Sequence, residues 1–491
     1  MTVTDLEKRT APQSTRSAEH VPGLSGLGLF TVLLGAFLSI ADYFIVNVAL
    51  PTIGTELHAS PVTLEMVVAG YGLSYALLLV IGGRLGDAFG RRRLFLAGIA
   101  AFTVTSLICG VAPDAVTLVV ARILQGASAA LMVPQVLATI QAATTLQRRS
   151  RAIGLYGVTG GIAGVIGQLA GGLLIAANVA GTGWRLIFLV NVPIGLVALL
   201  LALKTTPATQ SHDPAKVDVR GTILLGLAVL SLLVPLTVGR TLGWPIWTFG
   251  LLAAFPVIAV AFVLFERKLE KSGRLPLVPP SLMRVPSMRR GLLLAVPFFT
   301  GFGGLMFCFA VAMQSDLRMS PLEAGLTYVP LSIAYLFSSL SAARLVDRFG
   351  RTVLTVGSAG TVVGYVIILI TALSSWSSLS PLTLAPGMVI LGFGQGLVMT
   401  PLFRLVLSDV PADRAGAGSG VLITTQQTSL ALGVALLGGI FLSLTGVGGP
   451  AGRTAFAVVM VAELVVTVVV GIGSRWLPNP AGRSGRVIVT D

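Results

Sequence analysis

The sequence predicts an all-α polytopic membrane protein, and three observations lead to this fold class. Of the 491 residues, 54% are hydrophobic and only 11% are charged, which is too little charge to cover the surface of a soluble protein of this size. Apolar runs long enough to cross a bilayer as helices recur along the whole chain. A basic loop at Gly83–Arg93, with the sequence GRLGDAFGRRR, returns in part at Arg344–Arg351. The shared pattern R-L-x-D-x-F-G-R indicates two related membrane halves.

We predict fourteen transmembrane helices from these runs. The first six cover residues 25–50, 61–83, 94–112, 115–145, 152–178 and 184–204. Two more cover 220–240 and 246–266, and the last six cover 290–314, 320–343, 352–373, 383–407, 415–445 and 452–474. Several runs exceed the ~20 residues that a bilayer requires, so we expect tilted helices or protruding helix ends.

The spans divide the chain into six parts. These are a disordered cytoplasmic tail (1–23), an amino-terminal six-helix bundle (24–204), two linker transmembrane helices (205–266), a cytoplasmic linker (267–289), a carboxy-terminal six-helix bundle (290–474) and a cytoplasmic tail (475–491). The cytoplasmic linker is rich in proline and basic residues, and we expect it to contact anionic membrane lipid.

The basic residues predict the orientation in the membrane. With the amino terminus in the cytoplasm, 27 of the 33 lysines and arginines lie on the cytoplasmic side. Four lie in outer loops, and two, Arg122 and Arg404, lie within spans. This asymmetry predicts a multi-pass protein of the cell membrane with both termini in the cytoplasm. Because the net charge of +14 is explained in this way, we expect no nucleic-acid partner.

Asp42 is the most informative single residue, because no other charge lies near it in the first span. A carboxylate inside the bilayer costs at least a few kcal/mol, so it should face protein or a water-filled cavity. Either the carboxyl binds and releases a proton as its surroundings change, or it is a structural acid with a permanent partner. We favour the first interpretation.

Arg122 in the fourth span is predicted to lie at a similar depth. It cannot plausibly lose its proton and therefore needs acceptors. Gln125 lies three residues further on the same helical face. A buried arginine near a titratable acid favours release of the proton in one conformation, whereas the alternative is a purely structural arginine.

Candidate substrate contacts come from several spans. The fifth span carries a stripe of glycines with Gln168 near its centre, which permits either tight packing or sliding of helices. The ninth span has aromatic and methionine side chains at helical spacing, a pattern that suits a bulky apolar ligand or ordinary core packing. The residues that we predict to contact substrate are Tyr43, Gln125, Gln168, Phe302, Met306, Phe309 and Gln426.

Glu463, midway along the last span, is a second intramembrane acid. It is either a second titrating site or a packed, hydrogen-bonded carboxyl, and the sequence slightly favours the packed carboxyl.

The two copies of the basic loop are predicted to control the conformation. In these loops, ion pairs of Asp87 and Asp347 with Arg91 or Arg351 would hold the cytoplasmic face closed, unless the loops only set the topology. The predicted gating residues are Gly83, Arg84, Asp87, Arg91, Asp347 and Arg351.

These motifs together resemble those of a known family. GRLGDAFGRRR resembles the signature loop of the major facilitator superfamily, and RLVDRFGR resembles its weaker copy. ARILQGASAALMVP resembles the fourth-helix motif of that family, and GVIGQLAGG resembles the fifth-helix motif of its antiporters. ADYFIVNVALPTI, WRLIFLVNVPIG and TTQQTSLALGVALLG are similar to its fourteen-span drug:proton antiporter branch. The fifth-helix motif departs from the family at Gln168, where proline is usual.

The resemblance implies two six-helix bundles around a central cavity, with spans seven and eight inserted between them. It implies that proton entry is exchanged for the exit of amphipathic or cationic drugs, including antibiotics, by alternating access. Asp42 and Arg122 would then carry proton coupling. No cofactor is expected, because the proton gradient drives transport, and we expect a monomer.

Two alternatives to a drug exporter remain open. One is a transporter of the same fold for a specific metabolite, lipid or peptide precursor. The other is a non-transporting membrane sensor or scaffold. An enzyme is not expected, because the sequence has no P-loop and its three histidines lie outside the spans.

Overall fold

The computed structural model describes residues 23–209, 218–239, 242–274, 276–411, 414–445 and 451–479. The predicted tails at 1–22 and 480–491 lie outside these residues. The described chain is helical and contains no strand, so the predicted all-α class is confirmed.

Six long helices form the first half. They are α1 (Gly26–Glu56), α2 (Pro61–Phe89), α3 (Arg91–Gly110), α4 (Ala115–Ala143), α5 (Leu146–Ala177) and α6 (Asn191–Thr205). Two short helices, Gly183–Arg185 and Leu186–Leu189, lead into α6. Two inserted helices follow, α7 (Val219–Val238) and α8 (Ile246–Lys271). The helix α8 extends beyond the predicted end at residue 266.

The second half again has six long helices. They are α9 (Pro286–Val311), α10 (Val329–Phe349), α11 (Thr352–Ser375), α12 (Pro381–Val406), α13 (Ala415–Gly433) and α14 (Ala451–Gly473). A π-helical turn, Ala312–Asp316, extends α9, and a second one, Val434–Gly438, joins α13 to a last helix, Gly439–Thr445. The linker before α9 contains a short helix, Pro280–Arg284.

In the part of the chain that the structure describes, thirteen helices are long and apolar enough to cross a membrane. The helix α2 is bent by 47° between its segments Met66–Leu79 and Ile81–Phe89, and it makes the fourteenth span when both segments are counted together. We name the side of the bundle that holds the loops at residues 84–93 and 344–351 the basic face, and the other side the distal face.

Side-chain caps start several helices at the distal face. Ser60 caps α2, Ser380 caps α12, and Asp114 caps α4 by accepting from the backbone N–H of Thr117 at 2.8 Å. That backbone hydrogen bond lowers the pKa of the exposed Asp114 carboxyl. These caps satisfy N–H groups that would otherwise be unpaired where the chain re-enters the membrane.

The helices pack as two groups that meet along two seams. In the first half, α4 packs against α2 and α3, and α1 packs against α5. In the second half, α12 packs against α10 and α11, and α9 packs against α13. On one seam α5 contacts α10 and α12, and on the other α2 contacts α13. The inserted helix α7 packs against α8 and α2. The site described next lies inside the first half, beside these seams.

Candidate functional site

The centre of the site is a buried ion pair between α1 and α4. Arg122 donates a hydrogen bond from Nη1 to Asp42 Oδ2, and both side chains are fully buried. Arg122 Nε also donates to the carbonyl oxygen of Val67 at 3.1 Å, and its guanidinium lies 4.3 Å from the centre of the Tyr71 ring. The positive charge is therefore held by a carboxylate, a carbonyl and an aromatic face.

Two amide side chains complete the surroundings of the Asp42 carboxylate. Its Oδ1 accepts from Gln125 Nε2 at 3.1 Å and from Asn191 Nδ2 at 2.7 Å. Gln125 also accepts from Arg122 Nη1 at 2.8 Å and donates to Ser106 Oγ at 2.6 Å. Hydrogen bonds to an ionised carboxylate are stronger than those between neutral groups, so this network stabilises the charged form of Asp42 in the present conformation.

The structure thus brings together three residues that the sequence singled out, Asp42, Arg122 and Gln125, and adds two that it did not. Ser106 comes from α3 and Asn191 from the start of α6. Asn191 was visible only as one amide within the apolar run WRLIFLVNVPIG, and a polar residue inside a span is itself a signal for a buried partner.

A cavity of about 300 Å³ lies beside this network, toward the distal face. Its walls come from α1 and α2 of the first half, from the ends of α9 and α13 in the second half, and from Leu236 and Thr237 of the inserted α7. The lining is apolar except for five neutral polar side chains, Tyr43, Asn47, Thr237, Gln314 and Ser315. No charged side chain lines this cavity among the described residues.

Tyr43 connects the cavity to the ion pair. It follows Asp42 in the chain and lines the cavity. The Tyr43 ring centre is 5.8 Å from that of Tyr71, the ring that lies against Arg122. A ligand that displaces Tyr43 therefore acts on the surroundings of the guanidinium through one intervening ring.

Of the seven predicted substrate contacts, the structure places only Tyr43 in the lining of this cavity. Gln125 belongs to the Asp42 network. Gln168 reaches across the seam and donates to the carbonyl oxygen of Met306 at 3.3 Å. Phe302, Met306, Phe309 and Gln426 are buried away from the cavity.

The helix α9 explains this difference, because its two long faces have different neighbours. The predicted stripe containing Met306 and Phe309 faces the core of the second half, where Phe309 packs against Tyr328 and Phe456. The adjacent face, with Phe307, Ala310, Val311 and Gln314, lines the cavity. In this conformation Met306 and Phe309 are therefore packed in the core, and the prediction that the stripe contacts substrate stays a prediction.

At the first basic loop, the predicted partners are close together. Arg91 Nη2 donates to Asp87 Oδ1 at 3.0 Å, linking the end of α2 to the start of α3. Arg84 donates instead to the carbonyl oxygens of Pro276 and Leu277 in the linker. Gly83 lies beside Pro134 of α4, and a Cβ at Gly83 would be 3.7 Å from the proline ring.

The second basic loop has different partners from those expected. Asp347 accepts from Arg404 at 2.5 Å, and Arg404 is the basic residue in the last turn of α12. Arg351 donates to the carbonyl oxygen of Leu477 at 2.8 Å and forms no ion pair with Asp347 in the described chain. The expected Asp347–Arg351 pair is therefore replaced by contacts with α12 and with the chain that follows α14.

The comparisons with known proteins agree with this architecture. The family model described as Major Facilitator Superfamily matches residues 32–434. A probable actinorhodin transporter of Streptomyces coelicolor is 36% identical over 453 residues, which cover 90% of this chain and 78% of that protein. A tetracenomycin C resistance and export protein of Streptomyces glaucescens is 33% identical over 427 residues, which cover 85% of this chain and 76% of that protein.

A solved structure has the same fold. The human organic anion transporter MFSD10 (TETRAN) aligns with a TM-score of 0.61 at 14% identity, and the alignment covers 90% of this chain and 98% of that one. At this identity the likeness concerns the fold alone. Since the family model spans most of the chain and the relatives are similar over most of their length, the chain belongs to the major facilitator superfamily and is a transporter, not an enzyme.

Proposed function

We propose that this protein exports antibiotics and other amphipathic compounds in exchange for protons. The observation that carries the proposal is the buried network of Asp42 and Arg122, which is linked to an apolar cavity through Tyr43. The relatives named above, a probable transporter of one microbial product and an export protein for another, support export as the direction of transport.

The proposed coupling follows from the two protonation states of Asp42. When ionised, Asp42 holds Arg122, Gln125 and Asn191, and so ties α1 to α4 and α6. A proton on the carboxyl cancels its charge and removes the main attraction for the guanidinium. The two protonation states therefore favour different packings of α1 against its neighbours. Alternating access requires an element of this kind, which has two arrangements whose balance a bound proton can shift. A membrane potential adds ~2.3 kcal/mol per 100 mV for each charge moved across the membrane.

The cavity supports amphipathic substrates of varied shape. Its neutral lining binds through apolar area, with a few hydrogen-bonding groups to orient a ligand. A cationic substrate would meet the aromatic faces of Tyr43 and Phe307 rather than a carboxylate. A site that selects substrates by apolar contact area and by contact with aromatic rings suits a carrier of several related compounds.

The proposal includes the topology. The basic face would lie in the cytoplasm, where positive loops are retained, and the protein would act as a monomer in the cell membrane. The two bundles at 24–204 and 290–474 would rock about the seams, with the helices of 205–266 attached at the side. The proton gradient alone would drive this cycle.

Efflux from cells of a pump-deficient bacterium tests the proposal. The wild-type chain should lower the accumulation of ethidium and related dyes, and an uncoupler should abolish the effect. The variant Asp42→Asn should still insert in the membrane but lose uncoupler-sensitive efflux, because an asparagine cannot bind and release a proton. Efflux that persists in Asp42→Asn and stays sensitive to the uncoupler would contradict the coupling role.

Asp114→Asn is the matched control. It makes the same chemical change at an exposed carboxylate in the same half, and asparagine also caps helices well, so efflux should be unchanged. A specific metabolite carrier would move one compound and none of the dyes. A sensor or scaffold would tolerate Asp42→Asn without loss, but the membership of the chain in a transporter family stands against it.

A further inference from the structure

A second buried carboxyl, Glu463, lies in α14 and belongs to neither the Asp42 network nor the large cavity. Tyr365 of α11 donates its hydroxyl to Glu463 Oε2 at 3.2 Å. Gln395 of α12 donates from Nε2 to the Tyr365 hydroxyl at 3.4 Å. Three helices of the second half therefore contribute to a hydrogen-bonded chain that ends on one oxygen of the carboxyl.

The other oxygen faces unpaired polar atoms. A small void of about 10 Å³ is lined by Glu463, Gln395 and Ser358, each only 2% exposed. Within the described chain, Glu463 Oε1, Gln395 Oε1 and Ser358 Oγ have no hydrogen-bond partner. Two of these atoms are pure acceptors, so each requires a donated hydrogen, and within the described chain no side chain supplies one at hydrogen-bond distance. A proton on Glu463 provides it directly, and the void has about the size needed for one bridging water.

Among the residues that the structure describes, no positive charge compensates an ionised Glu463. The helices α11 and α13 contain no charged residue. The charged residues of α9 and α12 lie in the turns nearest the basic face. Along the chain, the charged residues nearest to Glu463 are Arg453 and Arg475. Each is ten or more residues from Glu463, which is ~15 Å or more along a helix. The titratable groups beside it are Tyr365 and Cys308, both neutral near pH 7. An ionised carboxylate here would be buried with one neutral donor, which is strongly unfavourable.

An aromatic contact between the two halves adjoins the void. Phe302 of α9 lines the void, and its ring meets the Phe44 ring edge-on with a centroid distance of 5.9 Å. Phe44 lies on α1, two residues after Asp42. A motion that separates α1 from α9 therefore uncovers Phe302 on the side of the central interface.

We propose that Glu463 is a second proton-binding site of the transport cycle. In the present conformation the carboxyl is neutral and keeps its proton on Oε1. When the halves separate at Phe44 and Phe302, water reaches the void, the proton leaves Oε1 to that water, and the carboxylate retains the hydrogen bond from Tyr365. This inference rests on the proposed antiport function, to which it adds a proton carried by the second half.

Infrared difference spectroscopy tests the site. The full-length protein in lipid nanodiscs is titrated from low to high pH without substrate. Wild type should lose a carbonyl band of a buried protonated carboxyl as the pH rises, and Glu463→Gln should lack that component. The number of protons released per molecule, measured with an indicator dye, should fall by one in Glu463→Gln. Glu323→Gln, a change at an exposed carboxylate that caps a helix, should leave the band in place.

Tyr365→Phe keeps the carboxyl and removes its donor, so it remains informative if Glu463→Gln fails to fold. The ionised form loses a charge-assisted hydrogen bond, and the band should therefore disappear at a pH higher by about one unit or more. A wild-type band that never titrates while the protein stays folded, or a wild-type proton count in Glu463→Gln, would overturn the proposal. These results would leave proton-driven efflux through Asp42 standing, whereas dye efflux by the wild-type chain that an uncoupler does not reduce would refute the proposed function itself.

Discussion

At the scale of single residues, the surroundings of Asp42 show how neutral groups set the strength of a buried acid. Asn191 is the neutral donor nearest to this carboxylate, at 2.7 Å. It also lies 3.4 Å from Ser106 Oγ, so its amide is held in position from a third helix. Under the proposed coupling, this positioning gives Asn191 a part in setting the pH at which the proton leaves Asp42.

Replacement of Asn191 by leucine should move the acidic limb of transport to higher pH. The ionised Asp42 loses one charge-assisted hydrogen bond, typically worth about 1.5–3 kcal/mol, so its proton is released only at a pH higher by about one unit or more. The pH dependence of dye efflux in inverted membrane vesicles measures this shift. Ser106→Ala, which keeps all three donors to Asp42, should shift the profile much less, and a wild-type profile in Asn191→Leu would contradict the prediction.

Sequence reasoning found Asp42, Arg122 and Gln125 of this network but not the other two neutral partners. Asp42 and Arg122 stand out because a charge in an apolar run demands an explanation, and Gln125 follows from its helical spacing to Arg122. Asn191 and Ser106 join only when α6 and α3 pack against α1 and α4. The same limit explains Asp347, whose partner Arg404 is distant in the chain.

At the scale of helices, α5 forms a glycine-lined contact with the second half. Gly161 leaves no room beside Tyr335 of α10, since a Cβ at this position would lie 1.9 Å from Tyr335 Cζ. The Tyr335 hydroxyl also donates to the carbonyl oxygen of Gly157 at 3.2 Å. Part of the glycine stripe predicted from the sequence therefore faces the second half, at Gly157, Gly161 and Gly172, whereas Gly167 and Gly171 pack against α1.

Gly161→Ala should weaken the conformation described here. The ring of Tyr335 is buried and cannot move aside cheaply, so α5 and α10 must separate or the ring must leave. We expect a lower melting temperature and more rapid hydrogen exchange along α5 and α10. Gly154→Ala is the control on the same helix, since a Cβ there meets nothing within 4 Å. Equal melting temperatures for the two variants would show that the seam tolerates the methyl group.

The two faces of α9 illustrate what periodicity can and cannot predict. Helical spacing predicted that Phe302, Met306 and Phe309 share a face, and these residues do lie in the buried core. Periodicity does not tell which of two adjacent apolar faces meets a ligand and which meets another helix. Phe307 was overlooked because it lies one step off the chosen stripe, although it lines the cavity.

At the scale of the whole molecule, the two halves touch each other on the basic face, whereas a cavity lies between them toward the distal face. Gln141 of α4 donates to Ser419 of α13 and so joins the two halves. Residues 276–278 of the linker lie beside this contact, held by Arg84 at two carbonyls and by Glu266, which accepts from the Val278 N–H at 2.8 Å. The linker is thus a structural part of this face.

Arg84→Gln should release this part of the linker. The two carbonyls lose their charged donor, and the adjacent chain with Lys271 and Arg274 becomes a better substrate for trypsin. The rate of cleavage there in detergent-solubilised protein, followed by mass spectrometry, should rise severalfold. Arg93→Gln removes an exposed arginine from the same loop and should leave the rate unchanged. Equal rates for both variants would show that Arg84 does not retain the linker.

The apolar runs and the repeated loop predicted the membrane fold, because these features depend on composition and order alone, and the loop together with the helix motifs predicted the family. The anchoring of the linker to Arg84 was not predictable, since it joins residues nearly two hundred positions apart. Contacts of this kind depend on how the inserted pair of helices docks, which local sequence patterns do not encode.

The contribution of α7 to the cavity wall has a consequence for how such a carrier changes its range of substrates. Leu236 and Thr237 belong to neither six-helix bundle and touch neither carboxyl site. Under the proposed function, replacements at these two positions would therefore change the shape of the cavity while Asp42, Arg122 and Glu463 keep their contacts. The inserted helix is then a place where the range of exported compounds can change without loss of proton coupling.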